Sequence, residues 1–379
     1  MVMANLSNPV VEILNAQNVT ADHGNNDSDS LSCHWPQEAQ PFPTDLQHFP
    51  ALWISIIGRP ILISLGTIGG LLIFLVQMRE KKKATTNVYL MVMSLSSIFL
   101  MWSTFPNYVL LVWRGNLFTS GAWDAYPNLQ KFNGFITFMQ ESAICISDLT
   151  LVVFSVERLL CTLNPFRYLN VFTLKRALYT ELLIIVTSLL WNSPYLVIFN
   201  KRQQDLSPSL QAWNATMTKV DVVSCVSIWM TLLVINILLT RAMASHARAR
   251  QGMVSESQSA SAKRSSSKSR TSSILLLCSA VIYSVTQFPF LIYNLLTMAE
   301  EPPHCWINIP QKAVALALVF GENLSILGYA IDFFVYYLSS TGFRRQVRSL
   351  ISGSRTNGQG STFSSSECDG KRPLQSRTA

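Results

Sequence analysis

The sequence predicts an all-α membrane protein: a seven-transmembrane helix bundle followed by an amphipathic eighth helix. Of its 379 residues, 49% are hydrophobic and only 13% are charged, whereas about 25% of residues are charged in soluble domains. A membrane-spanning helix needs about 20 mostly apolar residues, and the chain has room for seven. The net charge of +8 is concentrated between the apolar segments, which favours membrane lipid over nucleic acid as its surroundings.

Seven segments, named spans one to seven, are expected to cross the bilayer. They cover roughly residues 51–77, 87–113, 133–160, 176–199, 221–245, 272–298 and 309–338. Spans one, two, five and six are clear from hydrophobicity alone. Span four is short, and spans three and seven contain several carboxylates. These three are predicted because the chain must return to the correct side of the membrane.

Basic residues in the short connections predict which side faces the cytoplasm. They follow spans one, three, five and seven: Arg79, Lys81, Lys82, Lys83, Arg158, Arg167, Lys175, Arg176, Arg241, Arg248, Arg250, Lys263, Arg264, Lys268, Arg270, Arg344, Arg345 and Arg348. Residues 1–50 contain neither Lys nor Arg. We therefore expect a multi-pass plasma-membrane protein with an extracellular N-terminus.

Four glycosylation sequons lie on the predicted outer side, at Asn5, Asn18, Asn26 and Asn214. N-glycosylation occurs on surface loops of secreted or extracellular segments, so the sequons agree with the orientation given by the charges. A fifth sequon, at Asn323, lies within span seven and is attributed to chance. No cleavable signal peptide is visible, and span one is expected to serve as the signal anchor.

Composition divides the chain into four parts. Residues 1–50 are predicted to form a disordered, glycosylated extracellular segment, and residues 51–339 the transmembrane domain. Residues 340–351 place apolar residues on one helical face and arginines on the other, which predicts a helix lying on the inner leaflet. Residues 352–379 are expected to be a disordered tail. The Ser-rich stretch 251–273 is expected to be a mobile cytoplasmic loop.

Two of the seven cysteines, Cys33 and Cys305, fall plainly on the extracellular side. An oxidising compartment favours a disulfide between them. Such a bond would tie the N-terminal segment to the outer connection before span seven. The alternative is that both thiols are free.

Three short motifs carry a family resemblance. Glu157-Arg158 ends span three, Gln287-Phe288-Pro289-Phe290 lies within span six, and Asp332-Phe333-Phe334-Val335-Tyr336 lies within span seven. Together with seven spans and an eighth helix, they resemble the rhodopsin-like (class A) G-protein-coupled receptors. The end of span seven looks most like invertebrate FMRFamide-type neuropeptide receptors and their thyrotropin-releasing-hormone-receptor relatives.

The resemblance implies roles for these residues in activation and G-protein coupling. Glu157 and Arg158 would form an ion pair that opens on coupling, with Arg158 as a simple membrane-boundary anchor as the alternative. Pro289 would be a hinge, or a static kink, with Gln287 in place of the usual Trp. Asp332 and Tyr336 would be the residues of span seven that take part in activation and G-protein coupling. The base of span six offers no carboxylate to restrain Arg158, so appreciable basal activity is expected.

Several family features are missing. The usual disulfide has no partners, since Asn133 stands at the expected cysteine of span three and residues 200–220 contain none. Ser97 stands where span two usually carries Asp. Asp148 is an unusual acid within span three, and with Ser97 and Ser147 nearby it could replace the missing acid.

Charged residues inside a bilayer are costly and are treated first as functional. Arg59 and Glu322 fall at neighbouring outer positions of spans one and seven, where a pair would border the ligand cavity, unless Arg59 snorkels to the surface. Gln140 and Glu141 lie at the ligand level of span three. Glu141 would suit a cationic ligand group, although a helix-packing role is the alternative.

The resemblance implies a receptor, not an enzyme, that needs no cofactor or metal. Its expected partners are an extracellular peptide ligand, a heterotrimeric G protein, arrestin and a receptor kinase. The kinase would act on serines of the tail and of the third inner loop: Ser265, Ser266, Ser267, Ser361, Ser364, Ser365 and Ser366. A chemosensory receptor for a small molecule is the main alternative. A membrane transporter is the alternative of a different class.

Overall fold

The computed structural model describes residues 50–80, 85–114, 127–164, 173–198, 208–253, 260–300 and 311–352. Every regular element in these ranges is a helix. Spans one to seven are Pro50–Arg79, Thr85–Arg114, Pro127–Leu163, Leu174–Asn192, Pro208–Met253, Ala260–Glu300 and Gln311–Ser339. A short helix, Pro194–Ile198, follows span four, and the surface helix Thr341–Ile351 follows span seven.

Several helices extend beyond the predicted apolar segments, because a helix can continue into water after its apolar stretch ends. Span five starts at Pro208, well before the predicted residue 221. Span five ends at Met253 and span six starts at Ala260, so the expectation of a loop over all of residues 251–273 is wrong for residues 251–253 and 260–273. The stretch 260–273 contains seven Ser, but it also contains two each of Ala, Lys and Arg, which are good helix formers. Span four ends early, because Pro194 has no amide hydrogen to continue it.

The spans close into a ring. Spans one and two, two and three, three and five, five and six, six and seven, and seven and one are neighbours. Span four packs outside this ring against spans two and three. Span three contacts spans two, four, five and six, so its side chains reach most of the bundle interior. This central position makes the polar residues of span three the natural core of a site.

Four helices are long and apolar enough to cross a membrane by composition alone: Ile56–Arg79, Thr85–Pro106, Lys219–Ser245 and Leu277–Leu296. They belong to spans one, two, five and six, the four that hydrophobicity identifies in the sequence. Span four turns a wide apolar face outward, with Leu183 63% and Leu190 68% exposed, while its Glu181 is buried. Apolar residues therefore face the lipid, and the polar residues of the less apolar spans face inward.

The surface helix packs against the end of the bundle. Ser340 caps it by accepting a hydrogen bond from the Phe343 amide at 3.2 Å, as N-cap residues do. Phe343 and Val347 are buried, whereas Arg345 and Arg348 are exposed. The predicted amphipathic division is therefore present, with the apolar face against spans one and seven.

Candidate functional site

Arg59 and Glu322 form an ion pair between spans one and seven. Both side chains are largely buried, so Arg59 does not snorkel to the surface. A buried pair of this kind is destabilised strongly when one partner is removed, because the other charge is left uncompensated. The structure thus brings together the two residues that the sequence places at neighbouring positions. Their part in a ligand pocket stays a prediction.

A second polar group lies in the outer half of the bundle, around span three. Gln140 and Glu141 are buried, and Glu141 is fully inaccessible. Tyr195, on the short helix after span four, donates a 2.5 Å hydrogen bond to the Asp221 carboxylate of span five. The Glu141 and Asp221 carboxylates are close enough to interact electrostatically. Two buried carboxylates at one level create a strongly negative environment, suited to a cation.

At mid-depth, Asp148 of span three interacts with two other spans. The Tyr329 hydroxyl of span seven donates to its carboxylate at 2.9 Å, and the Tyr283 hydroxyl of span six lies within reach of it. The two tyrosine rings meet edge to face, with centroids 6.3 Å apart. We call Asp148, Tyr283 and Tyr329 the carboxylate–tyrosine cluster.

A small cavity with room for about one water molecule lies beside this cluster, between spans one, two and seven. Ser97 and Asp332 both line it, together with Tyr329 and Tyr336, whereas Asp148 and Ser147 do not. The interpretation of Asp148 as the replacement for the missing acid stays a prediction. Asp332, one turn from Tyr329 on span seven, is the acid that faces Ser97.

Spans six and seven are joined above the cavity at Gln287. The Ser325 hydroxyl donates to the Gln287 side-chain oxygen at 2.8 Å, so the residue that replaces the usual Trp has a polar partner. One turn away, the Trp229 indole of span five donates to the Ser284 carbonyl at 3.1 Å. Pro289 lies within the same stretch of span six and removes one backbone hydrogen bond. Span six is thus hydrogen-bonded to spans five and seven close to Pro289, where its own backbone hydrogen bonding is interrupted.

At the inner end, Glu157 and Arg158 do not pair with each other, contrary to expectation. Consecutive residues of a helix point about 100° apart, and each finds a partner on its own side. Glu157 accepts a 2.6 Å hydrogen bond from Thr85 of span two. The Arg158 guanidinium lies 5.3 Å from the Phe154 ring centroid, a cation–π distance.

The same inner region contains Tyr336 and Glu80. Tyr336 is buried, and its ring centroid lies 6.2 Å from that of Phe343 on the surface helix. Glu80, just beyond span one, accepts a 2.9 Å hydrogen bond from Asn87. Burial raises the pKa of Glu80, and the Asn87 bond partly offsets the rise. The inner ends of spans one to three are therefore held by polar contacts.

Other predicted features lie outside the described residues. They are Asn5, Asn18, Asn26, Cys33, Cys305 and the serines of the tail. Asn214 falls in the first turns of the helix Pro208–Met253. Ser265, Ser266 and Ser267 fall on the helical backbone of span six. The glycosylation, disulfide and phosphorylation of these residues stay predictions.

A helical membrane bundle with polar groups buried from its outer half to its inner end is an architecture that transmembrane receptors share with other membrane proteins. The sequence matches the family described as 7 transmembrane receptor (rhodopsin family) over residues 69–340. The chain therefore belongs to that family and is a G-protein-coupled receptor, not an enzyme. It is 25% identical over 311 residues to Neuromedin-U receptor 2 of Homo sapiens, covering 79% of this chain and 71% of that receptor.

The match confirms the rhodopsin-like resemblance and the all-α, seven-transmembrane fold. The narrower resemblance to FMRFamide-type and thyrotropin-releasing-hormone receptors stays a prediction.

Sequence reasoning missed three groups in the interior: Asp221 with Tyr195, Glu181, and the two tyrosines of the cluster. Glu181 of span four accepts a 2.9 Å hydrogen bond from Thr150 of span three. Asp221 stands at the predicted boundary of span five, and Glu181 near the start of a short span. These positions made Asp221 and Glu181 resemble residues at the membrane surface. The free-energy cost of a charge within the membrane was the signal that could have identified both as buried functional candidates.

Proposed function

We propose that this receptor binds an extracellular peptide carrying a cationic group and responds by activating a heterotrimeric G protein. The observation that carries the proposal is the full burial of Glu141 beside Asp221 in the outer half of the bundle. Arg158 lies 17 residues further along the same helix, about 25 Å away at 1.5 Å per residue. One rigid element would thus link a cation site to the G-protein-coupling end.

The charge of the outer side supports a basic ligand. Residues 1–50 contain six Asp or Glu and no Lys or Arg, and such a segment attracts cations within a Debye length of about 8 Å. The orientation this requires, with the N-terminus outside the plasma membrane, is the one favoured by the basic inner connections. Arrestin and a receptor kinase are proposed as partners at the inner side.

A peptide is favoured over a small molecule by the identity of a relative. The human relative is by name a receptor for neuromedin-U. The motif at the end of span seven adds the FMRFamide-type receptors as a second point of comparison. Because Glu141 is fully buried, binding would have to part the outer ends of spans three and five. We expect a ligand that supplies enough contacts to do so.

The test uses cells that express the receptor with a promiscuous G protein, and measures ligand-stimulated nucleotide exchange. A library of C-terminally amidated peptides is screened in matched pairs, in which one member carries arginine and the other citrulline at the same position. Citrulline preserves the shape of arginine and removes its charge. The arginine member is expected to activate at a concentration about thirty-fold lower or more, since truncating a buried charge pair costs about 2–5 kcal/mol.

Glu141→Gln is expected to abolish this discrimination, and Asp221→Asn to reduce it. Glu181→Gln is the matched control, because Glu181 is also a buried carboxylate but bonds to Thr150, about two and a half turns deeper along span three than Glu141. Unchanged discrimination in Glu141→Gln would reject the cation site. Activation by neutral small molecules alone would reject the peptide proposal and favour a chemosensory role.

A further inference from the structure

We infer that the carboxylate–tyrosine cluster is a restraint that sets the equilibrium between the resting and signalling conformations. Asp148 is its positioning residue, since it acts by holding Tyr283 and Tyr329. The inference rests on the proposed G-protein coupling and adds a regulatory element to it.

The geometry joins three spans at one carboxylate. The Asp148, Tyr283 and Tyr329 side chains are all buried. Tyr329 donates to an Asp148 oxygen at 2.9 Å, and the Tyr283 hydroxyl lies within reach of the same carboxylate. The two rings meet edge to face, which brings spans six and seven together beside the acid. Each hydroxyl has one proton to donate, and both are available to Asp148.

Burial makes this arrangement strongly conformation-dependent. A carboxylate within the membrane interior is costly unless donors satisfy it. A hydrogen bond to a charged acceptor is about twice as strong as a neutral one. Any movement that carries Tyr283 away from span three removes a donor from Asp148 and leaves the carboxylate exposed to an apolar environment. The cluster therefore favours the conformation in which spans three, six and seven meet.

The position of Tyr283 relative to Pro289 makes the restraint relevant to signalling. Tyr283 lies six residues, about 9 Å, on the cytoplasmic side of Pro289. Bending of span six at Pro289 would carry Tyr283 with the inner half of the helix. Tyr329 is on span seven and would stay behind. Asp148 would then lose one of its two donors, which opposes the bend.

The base of span six offers no carboxylate to hold Arg158, so this restraint would act in place of one near the inner surface. A restraint at mid-depth acts closer to the hinge, where a given rotation moves atoms less. Tight hydrogen-bond geometry is therefore needed for it to be effective, and the 2.9 Å bond from Tyr329 meets that need.

The experiment compares Tyr283→Phe, Tyr329→Phe and Asp148→Asn with the unchanged receptor. Each Tyr→Phe change removes only a hydroxyl and keeps the ring. Tyr337→Phe is the matched control, because Tyr337 is another tyrosine of span seven that stacks on Phe333. Ligand-independent nucleotide exchange is measured at equal surface expression. Tyr283→Phe and Tyr329→Phe are each expected to raise it about tenfold, which corresponds to about 1.4 kcal/mol. Tyr337→Phe is expected to leave it unchanged.

A second readout does not depend on the G protein. Cys278 lies five residues on the cytoplasmic side of Tyr283 and is exposed, so a fluorinated thiol reagent can label it for fluorine NMR. The fluorine resonance of the label at Cys278 is assigned by its loss in Cys278→Ser. The cluster variants are expected to shift this resonance toward a second conformation, and Tyr337→Phe is not.

Four outcomes separate the two proposals. A shifted Cys278 signal with raised exchange supports the restraint and G-protein coupling together. A shifted signal without any exchange, in a receptor whose exchange no peptide stimulates, supports the restraint and overturns the coupling. An unshifted signal with unchanged exchange overturns the restraint alone. Lowered exchange in the Tyr→Phe variants also overturns it, since the cluster would then stabilise the signalling conformation.

Discussion

Gly328 of span seven lies against Thr286 of span six, and replacing it with Ala should destabilise the receptor. An ideal Cβ at this position would overlap Thr286 Oγ1 and lie 3.2 Å from Thr286 Cβ. Thr286 cannot easily turn away, because its χ1 torsion is restricted and its hydroxyl donates to the Ile282 carbonyl at 2.9 Å. The spans must therefore separate, or Thr286 must leave its preferred conformation.

Overpacking of this kind costs about 1–3 kcal/mol. It opposes the helix propensity of Ala, which favours Ala over Gly by about 1 kcal/mol, so destabilisation would show that the clash dominates. The assay is thermal unfolding of the purified receptor in lipid nanodiscs. At about 2–4 °C per kcal/mol for a large domain, the melting temperature should fall by a few degrees.

Two further variants make the reasoning refutable. Gly58→Ala is the matched control, because no atom lies within 4 Å of its ideal Cβ, and it should be neutral or slightly stabilising. Adding Thr286→Ala to Gly328→Ala removes the overlapping Thr286 oxygen and should recover stability relative to Gly328→Ala. If Gly328→Ala melts as high as Gly58→Ala, or if the double variant is no better than the single one, steric contact does not set the cost.

Three other predictions follow from residues at the two ends of the bundle. Arg158→Ala should reach the cell surface normally and lose ligand-stimulated nucleotide exchange; undiminished exchange would remove its coupling role. Glu322→Gln should lower surface expression because it leaves Arg59 unpaired, and breaking a buried pair lowers the free energy of unfolding by about 3–5 kcal/mol. Combining Glu322→Arg with Arg59→Glu should restore part of the surface expression. Protease cleavage between Cys33 and span one should release no fragment until reductant is added, if Cys33 and Cys305 are bonded; release without reductant would contradict the disulfide.

Hydrophobicity in the sequence identified spans one, two, five and six, whose mean hydropathy is high, and the structure places helices where expected. Spans three, four and seven were predicted only from topology, since their carboxylates lower their mean hydropathy. Those same carboxylates lie in the interior: Glu141, Asp148, Glu157 and Glu181 are all buried. The feature that made these spans hard to recognise is therefore the one that marks them as functional.

The pairing of polar side chains was less predictable than their presence. The sequence could place Arg59 and Glu322 at neighbouring levels, because each has a register within its own span and spans one and seven adjoin. It could not give the partners of Asp148, because these depend on rotations of spans six and seven about their axes. Tyrosines within a span also look apolar in sequence, so Tyr283 and Tyr329 gave no signal. The absence of a Glu157–Arg158 pair was equally unpredictable, since the two side chains point in different directions and contact different partners.

The ion pair between Arg59 and Glu322 has a consequence for biosynthesis. Arg59 lies in span one and Glu322 in span seven. The arginine is therefore without its Glu322 partner while spans two to six are inserted. An unpaired arginine within the bilayer is costly, although less so near the end of a helix than at its centre. Span one therefore completes its stable placement only when span seven arrives. Chains truncated before span seven would retain that unpaired charge, which gives the quality-control machinery of the endoplasmic reticulum a chemical mark for recognising an unfinished receptor.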